Sequence, residues 1–142
     1  MATTRTAKAH WEGSLMEGAG QVALESSGVG TYDVTWASRA NDANGKTSPE
    51  ELIAAAHSTC FSMALSHALA GAGNPPASID TQADVTFQPG EGITGIKLSV
   101  NGNVPGLTAD EFAQFAEEAK KNCPVSQALT GTTITLDVTF TA

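Results

Sequence analysis

Apolar and polar positions alternate over the first forty residues. AKAHWEG, GQVALES and TYDVTWAS each read as a strand, and glycine-rich turns separate them. The alternation then breaks in NDANGKTSPEE, a polar, turn-prone run that ends in Ser48-Pro49-Glu50-Glu51. That is a cap residue, a proline at the first helical position and two acids at the positive end of the helix dipole, a combination that starts a helix. The helix runs from about 49 to 70 and stops at GAGNPP. Ala54, Ala55, Ala56, Ser58, Thr59, Ser62, Ala64, Ser66 and Ala68 put small side chains on nearly every side of it, among Leu52, Ile53, Phe61, Met63, Leu65 and Leu69. So few charges imply burial, and the small residues let another helix approach closely. One domain could enclose this helix, or two copies could meet along it.

Period-two alternation returns in SIDTQADVTFQ (Ile79, Thr81, Ala83, Val85, Phe87) and GIKLSVNGNV, with PGEGIT between. Thr108 and Glu111 form a capping-box pattern for an amphipathic helix whose apolar stripe is Phe112, Phe115, Ala116 and Ala119. Cys123 caps a short helix with Pro124 first, and TTITLDVTF closes as a strand. The order βββ-α-ββ-α-α-β lacks alternating βαβ units and predicts an α+β fold, with antiparallel sheets around a buried central helix. The expected organisation is a single domain over 1–142, with N-terminal strands at about 6–38 and the later strands and helices at about 78–140.

Composition narrows the function. A chain of 142 residues suffices for one core, burying about 68–70% of its extended surface. With 15 acidic and 7 basic residues, net charge −8, it has no basic footprint for nucleic acid or anionic lipid. No run of about 18 uncharged apolar residues predicts a membrane span, and MATTRTAKAHWEG lacks the apolar stretch of a signal peptide. The expected compartment is the cytoplasm, where thiols stay reduced.

In that setting the two cysteines, Cys60 and Cys123, become the candidate chemistry. A thiolate is the nucleophile, and a helix N-terminus or a nearby cation lowers the thiol pKa from about 8.5 into the range of about 3.5–7.5. Cys123 sits at a helix start. Cys60 is mid-helix and needs a cation brought to it, for which Arg39, one of two arginines, is the candidate. Packing remains open for both, because free cysteine is among the most buried residue types. His57 and His67 fall on the Cys60 side of the helix, which permits a Cys–His nucleophile pair or a metal cluster with Cys123. The paired CxxC spacing of a closed zinc site is absent, and packing histidines are the expected outcome.

The segment PEELIAAAHSTCFSMALS, the later CPVSQAL and the early HWEG together resemble the OsmC branch of the OsmC/Ohr family of thiol-dependent hydroperoxide reductases. The resemblance spans nearly the whole chain. It implies an intertwined homodimer with sites at the subunit interface and a stress-induced antioxidant role. It also implies Cys60 as the peroxidatic cysteine, Cys123 as the resolving cysteine, Arg39 as the catalytic arginine and Glu50 as its carboxylate partner. The implied substrate is an organic hydroperoxide, the implied reductant an external dithiol, and no metal or other cofactor is expected. Related sequences often carry an aromatic residue after the arginine; here Ala40 follows. Ile53, Phe61, Met63 and Phe87 are the candidate pocket liners. Glu50 and Cys60 are ten positions apart, about 15 Å of rise on one helix, so a carboxylate serving that thiol is expected to arrive from a second subunit. A non-enzymatic reading, a homodimeric binding protein for a small apolar ligand, predicts a thiol pKa near or above the free value.

Overall fold

A computed structural model describes residues 1–141. The chain divides into two compact units, Met1–Leu52 and a second beginning at Ile53. In the first, strands β1 (Lys8–Glu12), β2 (Ala19–Ala23) and β3 (Thr31–Val34) form an antiparallel sheet in that order. Trp11 stands opposite Gly20, and the missing side chain there admits the indole: a Cβ on Gly20 would lie 2.7 Å from the Trp11 ring.

The third expected strand is cut short. TYDVTWAS stays extended only to Val34, and α1 (Trp36–Ala40) follows. Thr35 turns the chain, because its side chain accepts from the Ser38 amide while the Ser38 hydroxyl accepts from the Thr35 amide. This reciprocal box outweighs the strand preference of the aromatic and β-branched residues before it. Asn44 and Gly45, both at positive φ, then make the turn toward the long helix.

Helix α2 (Pro49–Gly71) begins where the Ser-Pro-Glu-Glu signal places it, with Ser48 Oγ accepting from the Glu51 amide at 3.2 Å. At 23 residues and a mean hydropathy of 1.3 over its most apolar stretch, it is long and apolar enough to cross a membrane by length and composition. Hydroxyls and histidines interrupt its apolar residues, so it holds no run of about 18 uncharged apolar residues, and its alanines account for the hydropathy. Its Phe61, Leu65 and Leu69 are instead fully buried in a protein core.

The second unit holds that core. Strands β4 (Ser78–Gln88) and β5 (Gly92–Asn103) form a long antiparallel hairpin with a register shift at Thr86/Phe87. Helices α3 (Ala109–Asn122) and α4 (Pro124–Ala128) lead to β6 (Ile134–Phe140). Strand β6 pairs with β5 in parallel, a departure from the expected all-antiparallel sheets. The two intervening helices supply the crossover that a parallel pair requires. Leu98 and Val100 of β5, Phe112, Ala116 and Ala119 of α3 and the buried residues of α2 pack into one cluster that also encloses Cys123. The fold class is α+β, as the sequence predicts.

Candidate active site

Arg39 is positioned by its neighbours. Ser38 is buried, and its hydroxyl lies 2.9 Å from both the Thr35 and Thr47 carbonyl oxygens, which ties α1 to the segment entering α2. Thr47 is held to β3 by its amide, which donates to the Asp33 carbonyl at 3.0 Å. The loop over residues 41–48 thus brings Arg39 against Glu50, eleven residues on. The guanidinium donates from Nε at 3.1 and 3.2 Å to the two carboxylate oxygens, and from Nη2 at 2.9 Å to Oε2. This is a fork geometry that lysine cannot reproduce. Glu50 is buried and Arg39 half-buried, so the carboxylate orients the guanidinium.

An apolar cavity of about 470 Å³ opens beside the pair. Trp11, Leu15, Val22, Val34, Trp36 and Leu52 line it, with Arg39 at its wall. The liners expected from the sequence are elsewhere. Phe61 is fully buried in the second unit's core, Met63 is largely exposed, and Ile53 and Phe87 are half-buried outside this cavity. The missed signal was the alternation of Ala9 and Trp11 on β1 across from Val22 on β2, which puts these side chains on one face.

Cys60 and Cys123 come together within the second unit, both as free thiols. Burial pushes the Cys60 pKa up, and the facing Cys123 thiol pushes it further; the Val125 backbone amide opposes both. Cys123 is fully buried, and as the residue capping α4 it makes no side-chain hydrogen bond there. Burial and the facing thiol both favour the protonated Cys60 thiol over the thiolate. Glu50, ten residues away on α2, stands about 15 Å up the helix axis.

His57 and His67 do not share one environment with Cys60. His57 is fully buried and hydrogen-bonded through Nε2 to Ser126 Oγ at 2.6 Å, whereas His67 is exposed. Ten residues of helix separate their directions. Among the described residues, no three His, Cys, Asp or Glu side chains converge as a metal-binding group.

The model of OsmC-like proteins matches residues 41–139, which include both cysteines and Glu50. The chain belongs to the OsmC family. It is 44% identical over 140 residues to the Peroxiredoxin OsmC of Escherichia coli K12, covering 96% of each chain. It is 32% identical to the organic hydroperoxide resistance protein OhrA of Bacillus subtilis, over 72% of this chain and 71% of that one. The organic hydroperoxide resistance protein from Elizabethkingia anophelis superposes with a TM-score of 0.72 at 27% identity, covering 99% of this chain and all of the other. In this OsmC-family chain the two cysteines face each other, and Arg39 is paired with Glu50.

Proposed function

We propose that this protein is a thiol-dependent peroxidase that reduces organic hydroperoxides to alcohols. The observation that carries this reading is the facing pair of free thiols, Cys60 and Cys123, in a chain so similar to a peroxiredoxin. The Cys60 thiolate attacks one peroxide oxygen, the O–O bond breaks, and the alkoxide leaves as alcohol after taking a proton. Cys60 is then a sulfenic acid. Cys123 condenses with it, releasing water and forming a disulfide, which an external dithiol reduces back to two thiols.

Arg39 supplies the positive charge that Cys60 lacks in its own unit, stabilising both the thiolate and the developing alkoxide. Glu50 holds the guanidinium fork. The rise between Glu50 and Cys60 supports delivery of the Arg39–Glu50 pair by the second subunit of a homodimer. The first unit supports the same arrangement: residues 1–52 contain no fully buried apolar side chain, and Trp11, Leu15, Met16 and Tyr32 are exposed. Surface of this kind is a binding face. The family model crosses the boundary between the two units, which favours one OsmC-like domain spanning 1–142. The apolar cavity beside Arg39 favours organic hydroperoxides over hydrogen peroxide, which gains nothing from an apolar wall. Chemistry that starts and ends with reduced thiols fits a cytoplasmic protein. It needs the cysteines and a dithiol reductant, and no resident cofactor.

Dithiol-dependent consumption of cumene hydroperoxide and of hydrogen peroxide, by wild type and by Cys60→Ser, tests this. Turnover that favours the organic peroxide and vanishes in the variant is expected. An inactive wild type whose thiols are demonstrably reduced would overturn the reading.

A further inference from the structure

A buried polar pair lies one helical turn from the two thiols and has no part in the chemistry above. His57 precedes Cys60 by three residues on α2, and Ser126 follows Cys123 by three, in the middle of α4. His57 is 0% exposed and Ser126 4%, and they are joined at 2.6 Å. The contact is costly. His57 Nδ1 is buried with no hydrogen-bond partner, and an apolar pair would fill the space without stranding a polar atom. The arrangement leaving fewest groups unpaired has the Ser126 hydroxyl donating to Nε2.

Geometry suggests what the contact does. The thiol pair and the imidazole–hydroxyl pair are two rungs joining the same two helices. Helix α4 has five residues, starts at a proline and lacks a side-chain cap at Cys123, so little within it fixes its rotation. An anchor at Ser126 fixes it from outside.

We propose that His57 and Ser126 are positioning residues for disulfide formation, holding α4 on α2 so that the Cys123 sulfur is aimed at Cys60 when the sulfenic acid appears. This rests on the peroxidase reading above. In the step they serve, the S–S bond forms as the Cys60 S–O bond breaks. The departing hydroxide combines with the Cys123 proton as water, and neither His57 nor Ser126 exchanges a proton or electron. Their role is orientation, for which a displacement of about 1 Å can cost about a hundredfold in rate.

The distinguishing quantity is the fate of the sulfenic acid. Reduced wild type, Ser126→Ala and Ser126→Thr are mixed rapidly with cumene hydroperoxide. Cys60 sulfenic acid, the disulfide and Cys60 sulfinic acid are then followed by mass spectrometry. In Ser126→Ala, sulfenic acid is expected to form at the wild-type rate, the disulfide about tenfold or more slowly, and sulfinic acid to accumulate as peroxide is raised. Ser126→Thr, which keeps the hydroxyl, is expected to restore the disulfide rate. Should the alanine variant fail to fold, Ser126→Val against Ser126→Thr makes the comparison at matched shape. Disulfide formation at the wild-type rate in the variant lacking the hydroxyl overturns the proposal and leaves the peroxidase intact. A wild type that forms no sulfenic acid overturns both.

Discussion

Arg39 and Glu50 show how much a single side chain depends on what faces it. Each is an unremarkable charge in the sequence. Together, one buried and one half-buried, they form an oriented ion pair whose guanidinium also lines the apolar cavity. Cys60 illustrates the converse: burial and a second thiol raise its pKa, so the proposed chemistry relies on a neighbouring cation. His57 carries a pH signature. Burial pushes its pKa below the ordinary value of about 6.5. Above that value the ring is neutral in both folded and unfolded chains and adds no pH dependence. As the pH falls through about 6.5, the unfolded chain takes up a proton that the folded chain refuses, so stability falls until the lower folded pKa is passed. The melting temperature is accordingly expected to drop on acidification below about pH 6.5, and less steeply in His57→Gln. Parallel curves for the two proteins would count against a buried neutral His57.

Arg39 rides on a short capped element. Helix α1 has five residues, too few to be stable alone, and Thr35, Ser38 and the Thr47 carbonyl hold it. Thr35→Ala is expected to cost about 0.5–2 kcal/mol of stability and, because Arg39 lies on this helix, to lower the rate of Cys60 oxidation as well. Thr108→Ala removes the equivalent cap of α3 at a similar cost of about 0.5–2 kcal/mol, yet Arg39 is not on that helix, so the oxidation rate is expected to hold. Denaturant unfolding paired with peroxide stopped-flow on both variants checks this; equal loss of rate in the two would show that Thr35 acts only through general stability. The cap of α3 was legible in the sequence because Thr108 and Glu111 flank a clear apolar stripe. The cap of α1 was hidden behind Tyr32, Val34 and Trp36, whose strand preference dominates a reading by pattern.

At the scale of the molecule, the two units differ in what they bury. The second has a closed core of aliphatic and aromatic side chains around Cys123, whereas the first leaves its apolar residues without full cover. Helix α2 shows the same imbalance in one element: Phe61, Leu65 and Leu69 are buried while Thr59, Met63 and His67 are exposed. The homodimer proposed above would cover both surfaces. Sedimentation equilibrium is expected to give twice the chain mass of 14.5 kDa. Mixing Cys60→Ser chains with Glu50→Ala chains is expected to recover a fraction of wild-type turnover, since one of the two sites in each heterodimer keeps both groups intact. A monomeric protein with full activity, or no recovery on mixing, would rule out sharing.

By itself the sequence determined whatever depends on neighbours along the chain. The Ser48-Pro49 start of α2, the alternation of β4, the capping box of α3 and the Pro124 start of α4 are all local devices, and the folded chain uses each of them. The two cysteine segments were legible for the same reason, as contiguous motifs. Only the tertiary structure decided which groups meet across long separations. It set the parallel pairing of β5 with β6, the gathering of Trp11, Val22, Leu52 and Arg39 around one cavity, and the burial of His57 against Ser126, 69 residues away. Such contacts are selected by how the elements pack, and packing energy has no periodic trace along a single strand or helix.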